Sequence, residues 1–417
     1  MSEANPLQIL IAGAGIGGLA AGIAFRREGH IVQIFESSAF AQEIGAAVGI
    51  PPNANGLVRR LGLVPEENGA VTCTGFKEFN TEGEMIGKVD MEGIEKEFGY
   101  PWQLIHRVDF HNALKTIALS PEGPGLPVVI HLRSRVAAAD PENGLIILEN
   151  GKNYSGDVII GADGVHSHLR TTVLGAPDPS VSSGNSTFRF MIPVPKITAD
   201  PNLAAFTNSL GKLLIYAGDD RRVIMYPCRN MELLNLAASQ PANLTDTDKK
   251  DWNNHGKKED LERLYSDFSP ELVTLLSKVD ENSVKLHILM DKPALRTWVN
   301  GRVGLLGDAA HPFLPFQGQG AAQAIEDATS LGVLLPMGTT SEEVPERLKL
   351  YEKCRYERAT RIQDSTRESG RWGHKNRLKD LSSMEYNLRH DEYEHSRGVL
   401  RRFLRERGEK GTGEARL

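Results

Sequence analysis

The sequence predicts an α/β chain, with a second, sheet-based unit inserted into it and a long helical C-terminus. Three observations carry that prediction. First, the short apolar run Gln8–Ala12 is followed at once by Gly13-Ala14-Gly15-Ile16-Gly17-Gly18, and then by a helix-like stretch, 19–28, that is small and apolar on one face. Second, two further apolar runs, 157–161 and 303–306, also end in small residues and an aspartate. Third, residues 181–292 change character, with strand-like runs at 187–194, 212–217, 222–227 and 233–238, while residues 345–410 are charged and helical. A chain of 417 residues is too long for one small core. The predicted division is 1–72, 101–180 and 293–345 for a Rossmann-like nucleotide-binding domain, 73–100 and 181–292 for the inserted sheet domain, and 346–417 for the helical C-terminus.

Taken in order, the first strand, loop and helix form a G-x-G-x-x-G turn. Gly13 permits the tight turn, Gly15 lets a pyrophosphate approach the backbone, and Gly18 lets the helix pack on the strand; Ile16 and Gly17 complete the loop. The next strand, Ile31–Phe35, ends in Glu36, about 20 residues on, where a carboxylate accepts from ribose hydroxyls. Residues 73–100 are polar and Gly-rich and read as a hairpin. Residues 106–119 are helix-like, and 128–148 hold alternating strands around a turn at 140–144. The run from Asp157 to Gly161 reads as a buried parallel strand, closed by Ala162-Asp163-Gly164. Later, Val303-Gly304-Leu305-Leu306-Gly307-Asp308 leads into a loop with Pro315, Gly318 and Gly320, and a helix follows from Ala321. That order gathers one carboxylate and a row of backbone N–H groups. The first suits a polyol and the second suits negative charge, as in the ribityl chain and pyrimidine ring of a flavin. Towards the C-terminus, Glu352/Arg355 and Glu357/Arg361 have the spacing of a solvated helix face, and residues 408–417 read as frayed.

Bulk properties exclude several classes. Net charge is −6 with no basic patch, which argues against nucleic acid as a partner. No apolar run approaches the roughly 18 residues of a membrane span, and the N-terminus enters a strand without a charged-then-apolar leader. Cys73, Cys228 and Cys354 are scattered and read as reduced thiols. The histidines show no metal-ligand spacing, so no metal is expected. The expectation is a cytoplasmic protein, monomer or homodimer, that acts on a small molecule.

Together these motifs resemble the single-component flavin aromatic hydroxylases of the salicylate hydroxylase type. The family's glycine fingerprint reads Gly13/Gly15/Gly18 here. Its central Asp-Gly motif reads Asp163-Gly164 with Ser167 and Arg170, and its late Gly-Asp motif reads Gly307-Asp308 with Pro315, Gly318 and Gly320. His106-Arg107-Val108-Asp109 is similar to the family's helix start, and Tyr351, Arg355 and Arg358 to its C-terminal Tyr-x-x-x-Arg-x-x-Arg helix. The resemblance spans about residues 8 to 370.

The resemblance implies FAD as cofactor, with NADH or NADPH as a transient reductant and O2 captured as a flavin C4a-hydroperoxide that oxygenates an electron-rich aromatic. No second glycine fingerprint is present, as the family leads one to expect. The residues carried over to FAD are Gly13, Gly15, Ile16, Gly17, Gly18 and Glu36 at the adenosine end, Arg107 towards the pyrophosphate or ribityl, Asp163 in the central motif and Asp308 on the ribityl. Pro315, Gly318, Gly320 and Ala321 would face the pyrimidine edge, and the small residues Ala47 and Gly49 would allow close approach to the ring. The alternative for Arg107 is a carboxylate fork within the protein.

Electrophilic hydroxylation favours a phenolate, so the pocket needs a group that stabilises an oxyanion. Related fungal hydroxylases use an Arg and a Tyr from this sheet. Arg189, between Phe188 and Phe190, is the Arg candidate; Tyr216 and Tyr226 are the Tyr candidates, Tyr226-Pro227 being similar to the family's Tyr-Pro strand end. His311 reads as packing rather than as a base. Departures from the salicylate hydroxylase pattern at Cys228-Arg229-Asn230-Met231-Glu232 and Tyr216-Ala217-Gly218-Asp219, both read as pocket or rim, leave salicylate itself open. The alternatives are a flavin monooxygenase acting on an indole or other alkaloid, and a non-hydroxylating flavoprotein.

Overall fold

The computed structural model describes residues 5–39, 46–178, 180–245, 256–372 and 381–408; residues 409–417, most of the tail expected to fray, lie outside them. Two sheets dominate. The first runs Val299–Asn300, Val303–Leu305, Val158–Gly161, Gln8–Ala12, Ile31–Phe35 and Val129–His131, and all its pairs are parallel except the outer Val299–Asn300. Val158–Gly161 and Val303–Leu305 are buried throughout, as strands covered on both faces must be. Chain order reverses at Gln8–Ala12, whose neighbours lead away on opposite sides, and such a switch point opens a crevice at the strand ends.

Register does the rest. Ala12 pairs with Gly161 and with Phe35, and Gly161 pairs with Leu305. The glycine turn, the Asp163-Gly164 turn and the Gly307-Asp308 turn therefore leave the sheet at one level, although some 300 residues of sequence separate first from last. Gly13 has φ +101°, and a Cβ there would stand 2.3 Å from the Ala162 carbonyl oxygen. A Cβ on Gly18 would meet the Gly13 carbonyl oxygen at 2.1 Å. These two glycines are required by packing alone.

The second sheet runs Lys285–Asp291, Val181–Pro193, Leu233–Pro241, Arg222–Cys228, Lys212–Ala217, Gly75–Phe79 and Met85–Asp90. Residues 75–90 form the expected hairpin and join by parallel pairing to Lys212–Ala217. Strand side chains alternate between faces. Phe188, Phe190, Leu214, Val223, Met225, Leu236 and Ala238 make a separate core with the helices Lys258–Leu264 and Pro270–Ser277. The opposite face is turned towards the first sheet.

On the C-terminal helix Val344–Ser369, Glu357 and Arg361 lie on an exposed face as expected, but the Glu352/Arg355 pair does not. Arg355 is fully buried, and it pairs not with Glu352 but with Glu326, Asp327 and Glu392 at 2.5, 2.8 and 2.9 Å. Arg358 adds a second fork to Glu326. Glu352 instead accepts from Thr297 Oγ1 and the Trp298 N–H, and Tyr351 donates to the Leu305 carbonyl. Glu326, His390 and Glu392 do approach one another, but Arg355 and Arg358 already neutralise the two carboxylates.

Candidate functional site

A cavity of about 330 Å³ lies between the three turns and the inward face of the second sheet. Gly15, Ile16 and Gly17 line one side. A Cβ on Gly15 would meet nothing within 4 Å, so the backbone there is open to a group that comes close. The helix that follows, Ile16–Arg27, has no side-chain cap, and neither has Gly320–Leu334, whose first residues Gly320 and Ala321 line the other side with Pro315 and Gly318. Two helix N-termini with uncapped N–H groups thus face one space, which favours a ligand with two electronegative parts. Glu36 stands beyond the cavity. It accepts from the Ala14 and Ser38 N–H groups, and although burial works against its charge, these bonds hold its pKa below the usual range.

The Gly307-Asp308 turn is fastened from beneath. Asp327, fully buried, accepts from the Gly307 N–H at 2.8 Å, His311 Nε2 at 2.7 Å and Arg355 Nε at 2.8 Å. His311 is therefore a strut for this turn. Arg170, at the end of the central motif, donates to the carbonyls of Asp308 and Ala309 and so ties the second motif to the third. Asp308 lines the cavity. Asp163 does not line it: one carboxylate oxygen caps the next turn through His168 and Leu169 N–H, while its neighbours Ala162 and Gly164 face the space. That oxygen shapes the turn, while Asp163 Oδ1 is buried without a partner.

The sheet face supplies Arg189, Ile224, Tyr226, Asn235, Ala237 and Ser239. Arg189 pairs across with Ala237, which pairs with Ile224, so all three share a face. Arg189 is half-buried and lines the cavity, and among the described residues no carboxylate or hydrogen-bond acceptor meets its guanidinium; its Nε is buried without a partner. Burial lowers its pKa, Tyr226 acting against the shift and Arg107 with it, yet an Arg stays charged. Arg107 lines the same cavity.

Tyr216 is not brought to the site. It pairs with Val223, on the core face, and stacks on Phe79 at 4.8 Å between ring centres. Period-two alternation sends it away, and Ile215 occupies the cavity-side register. Burial raises its pKa to about 12. Tyr226 does reach the cavity, where burial raises its pKa further and Arg189 partly offsets the rise. Its hydroxyl donates to the Ala47 carbonyl at 2.8 Å, while Asn235 Oδ1 accepts from the Ala47 N–H at 3.1 Å. The sheet thus grips both polar groups of the residue that begins the cavity-lining stretch Ala47, Val48 and Gly49. Gly49 is small for another reason as well, since a Cβ would stand 2.8 Å from Trp102 Nε1.

The two departures expected at the rim lie elsewhere. Gly218 packs by Thr81 and Phe268. The turn Arg229-Asn230-Met231 has three successive positive φ angles, 50°, 53° and 66°, and Arg229 is held by both oxygens of Asp109. Left-handed backbone is costly for such residues, and the Arg229–Asp109 fork is what secures it against the helix that begins at Arg107. Sequence reasoning missed Asn235, Phe316 and Asp327. Asp327 alone left a signal: Glu326-Asp327 are the only charges in the helix Gly320–Leu334, a pattern that calls for buried cations.

The FAD binding domain family matches residues 6–366 of the chain. Hispidin-3-hydroxylase of Neonothopanus nambi is 37% identical over 367 residues, covering 85% of this chain and 86% of that protein. 3-Hydroxybenzoate 6-hydroxylase 1 of Aquipseudomonas alcaligenes is 31% identical over 367 residues, covering 86% and 87%. A salicylate hydroxylase substrate complex superposes with a TM-score of 0.78 at 24% identity, over 94% of this chain and 98% of that one, and so shares the fold.

Proposed function

This chain belongs to the FAD-binding-domain family of FAD-dependent monooxygenases, and on that premise we propose that it hydroxylates a phenolic ring, with NAD(P)H and O2 as co-substrates. The observation that carries the reading is Arg189: a charged guanidinium that faces the cavity and meets no carboxylate among the described residues. Such a group is costly to bury and gains most from an anion that enters with the substrate. One relative is named for 3-hydroxybenzoate, itself a phenol.

The site fits FAD, since a cradle without Cβ atoms and two uncapped helix N-termini face the cavity. In this reading Gly15, Ile16 and Gly17 take the pyrophosphate on the turn that Gly13 and Gly18 make possible, Glu36 the ribose, and Asp308 the ribityl. Arg107 adds positive charge, and Gly318, Gly320 and Ala321 face the pyrimidine edge. When bound, FAD supplies hydride acceptance and oxygen transfer. The chain's own residues bind, orient and exclude water. Arg189 holds the substrate oxygen and favours its ionised form, which makes the ring more electron-rich. Tyr226 has committed its proton to Ala47 and offers the substrate only acceptor lone pairs. Ile224, Ala237 and Leu314 give the ring an apolar seat.

The test is oxidation of NADH and NADPH by the purified enzyme with 3-hydroxybenzoate, salicylate, hispidin and indole, with product masses recorded. A phenol that speeds oxidation and gains one oxygen is the expected result. Stimulation by indole alone would favour the alkaloid reading, and stimulation with no oxygenated product would overturn hydroxylation.

A further inference from the structure

One charged side chain on the cavity face of the sheet is not used by this account. Arg222 shares its face with Ile224 and Tyr226, pairs with the cavity-lining Ser239, and is 2% exposed. Its guanidinium carbon lies 4.4 Å from the centre of the Phe316 ring and 4.7 Å from that of Trp372. Two of its nitrogens donate to the carbonyls of Ser369 and Gly370, where the long helix ends, at 3.0 and 2.9 Å. A cation is favoured there by the helix dipole as well as by the ring faces.

Phe316 is the informative partner. It lines the cavity and belongs to the turn Pro315–Gln317, just before Gly318 and Gly320. Gln317 fastens that turn to Ser365 and Ser369 at 2.9 Å each. A Cβ on Gly370 would stand 2.4 Å from the Phe316 ring, so a glycine at the helix end is what leaves room for the ring. Trp372, the second ring over the guanidinium, donates from its indole N–H to Asn185 Oδ1. Three parts of the chain thus converge on one guanidinium, and one of them carries a cavity wall.

We propose that Arg222 is a positioning residue that sets the plane and depth of the Phe316 ring, and through it the size of aromatic substrate the chamber accepts. The proposal rests on the aromatic-hydroxylase reading. Arg222 touches no substrate. It acts because a planar guanidinium stacks on a ring face while its edge bonds to two carbonyls, a combination Lys reproduces only in part.

The test compares Arg222→Met, Arg222→Lys and Phe316→Leu with the wild type. The probe is whichever of 3-hydroxybenzoate, salicylate and hispidin the wild type oxygenates. Arg222→Met and Phe316→Leu are expected to raise KM about tenfold while kcat changes less than about threefold, and to release more hydrogen peroxide per nicotinamide oxidised. Arg222→Lys should fall between them and the wild type. The visible circular dichroism of bound FAD, which needs no substrate, should change alike in Arg222→Met and Phe316→Leu. Wild-type KM and dichroism in Arg222→Met would overturn the proposal, as would a lower melting temperature with both unchanged, the signature of a mere brace. If Arg222→Met does not fold, Arg222→Lys carries the same readouts, and wild-type values there beside altered Phe316→Leu overturn it equally. If the wild type oxygenates none of the probes, the hydroxylase reading fails, and the dichroism comparison still decides the clamp.

Discussion

Arg355 and Arg189 are both enclosed by protein, and they meet opposite surroundings. Arg355 has carboxylates on every side, from Glu326, Asp327 and Glu392, each itself fully buried. Arg189 faces open volume beside a second cation, Arg107. Burying a guanidinium is costly in either place. In the first the chain supplies the compensating charge, and the group holds the helices Gly320–Leu334, Val344–Ser369 and Glu392–Glu406 together. In the second no carboxylate among the described residues supplies it, which is why the proposed function gives that part to the substrate. Burial of a charge therefore does not separate structure from function; what completes its coordination does.

The largest expected effect breaks the first site. Arg355→Met leaves three buried carboxylates short of a partner and should cost about 3–5 kcal/mol, read as a fall in melting temperature. It should also loosen the Gly307-Asp308 turn through Asp327, so FAD content should fall in the material that folds. Arg189→Met should do the reverse: melting temperature unchanged or raised, because an unpaired buried cation is gone, and kcat/KM lowered about 10²- to 10³-fold if it stabilises an oxyanion. Unchanged turnover on the substrate the enzyme oxygenates would defeat that role.

A smaller effect is expected from Asn235→Ala. The Ala47 N–H loses its acceptor while Tyr226 still holds the carbonyl, so FAD binding should weaken by about 1 kcal/mol, read as the dissociation constant from flavin fluorescence on dilution. The last is a pH effect. Burial, followed by the charges of Arg189 and Lys285, lowers the pKa of His287 to about 4. A group whose folded pKa lies below its unfolded value contributes stability above the unfolded value, near 6.5, and that stability is lost as pH falls towards the folded one. His287→Gln should therefore flatten the decline in melting temperature between about pH 6.5 and 4, and Arg189→Met should flatten it less, since it removes only one lesser cause.

Much of the site was legible because it is local. A strand, Gly13, Gly15, Gly18 and then Glu36 need only neighbouring residues to make their turn. Val303 to Asp308 and the glycines after it are likewise one continuous device. Arg189 was legible from type and strand context, and Tyr226 from its strand end. Tyr216 was misplaced because face depends on register across strands, which a single strand does not carry. The charged C-terminal helix was misread because Glu352/Arg355 satisfies a local spacing rule, whereas the partners that won come from 28 to 37 residues away.

By itself, then, the sequence determined the nucleotide turn, the order of the motifs and their kinship, since each rests on short-range backbone geometry and residue identity. Only the tertiary structure decided which arginine is neutralised by carboxylates and which faces the cavity, which tyrosine meets that cavity, and that Asn235, Asp327 and Arg222 pack behind its walls. Those outcomes depend on which side chains distant strands and helices bring within about 3 Å of one another, the range over which hydrogen bonds act, and on the parity with which each strand presents its faces.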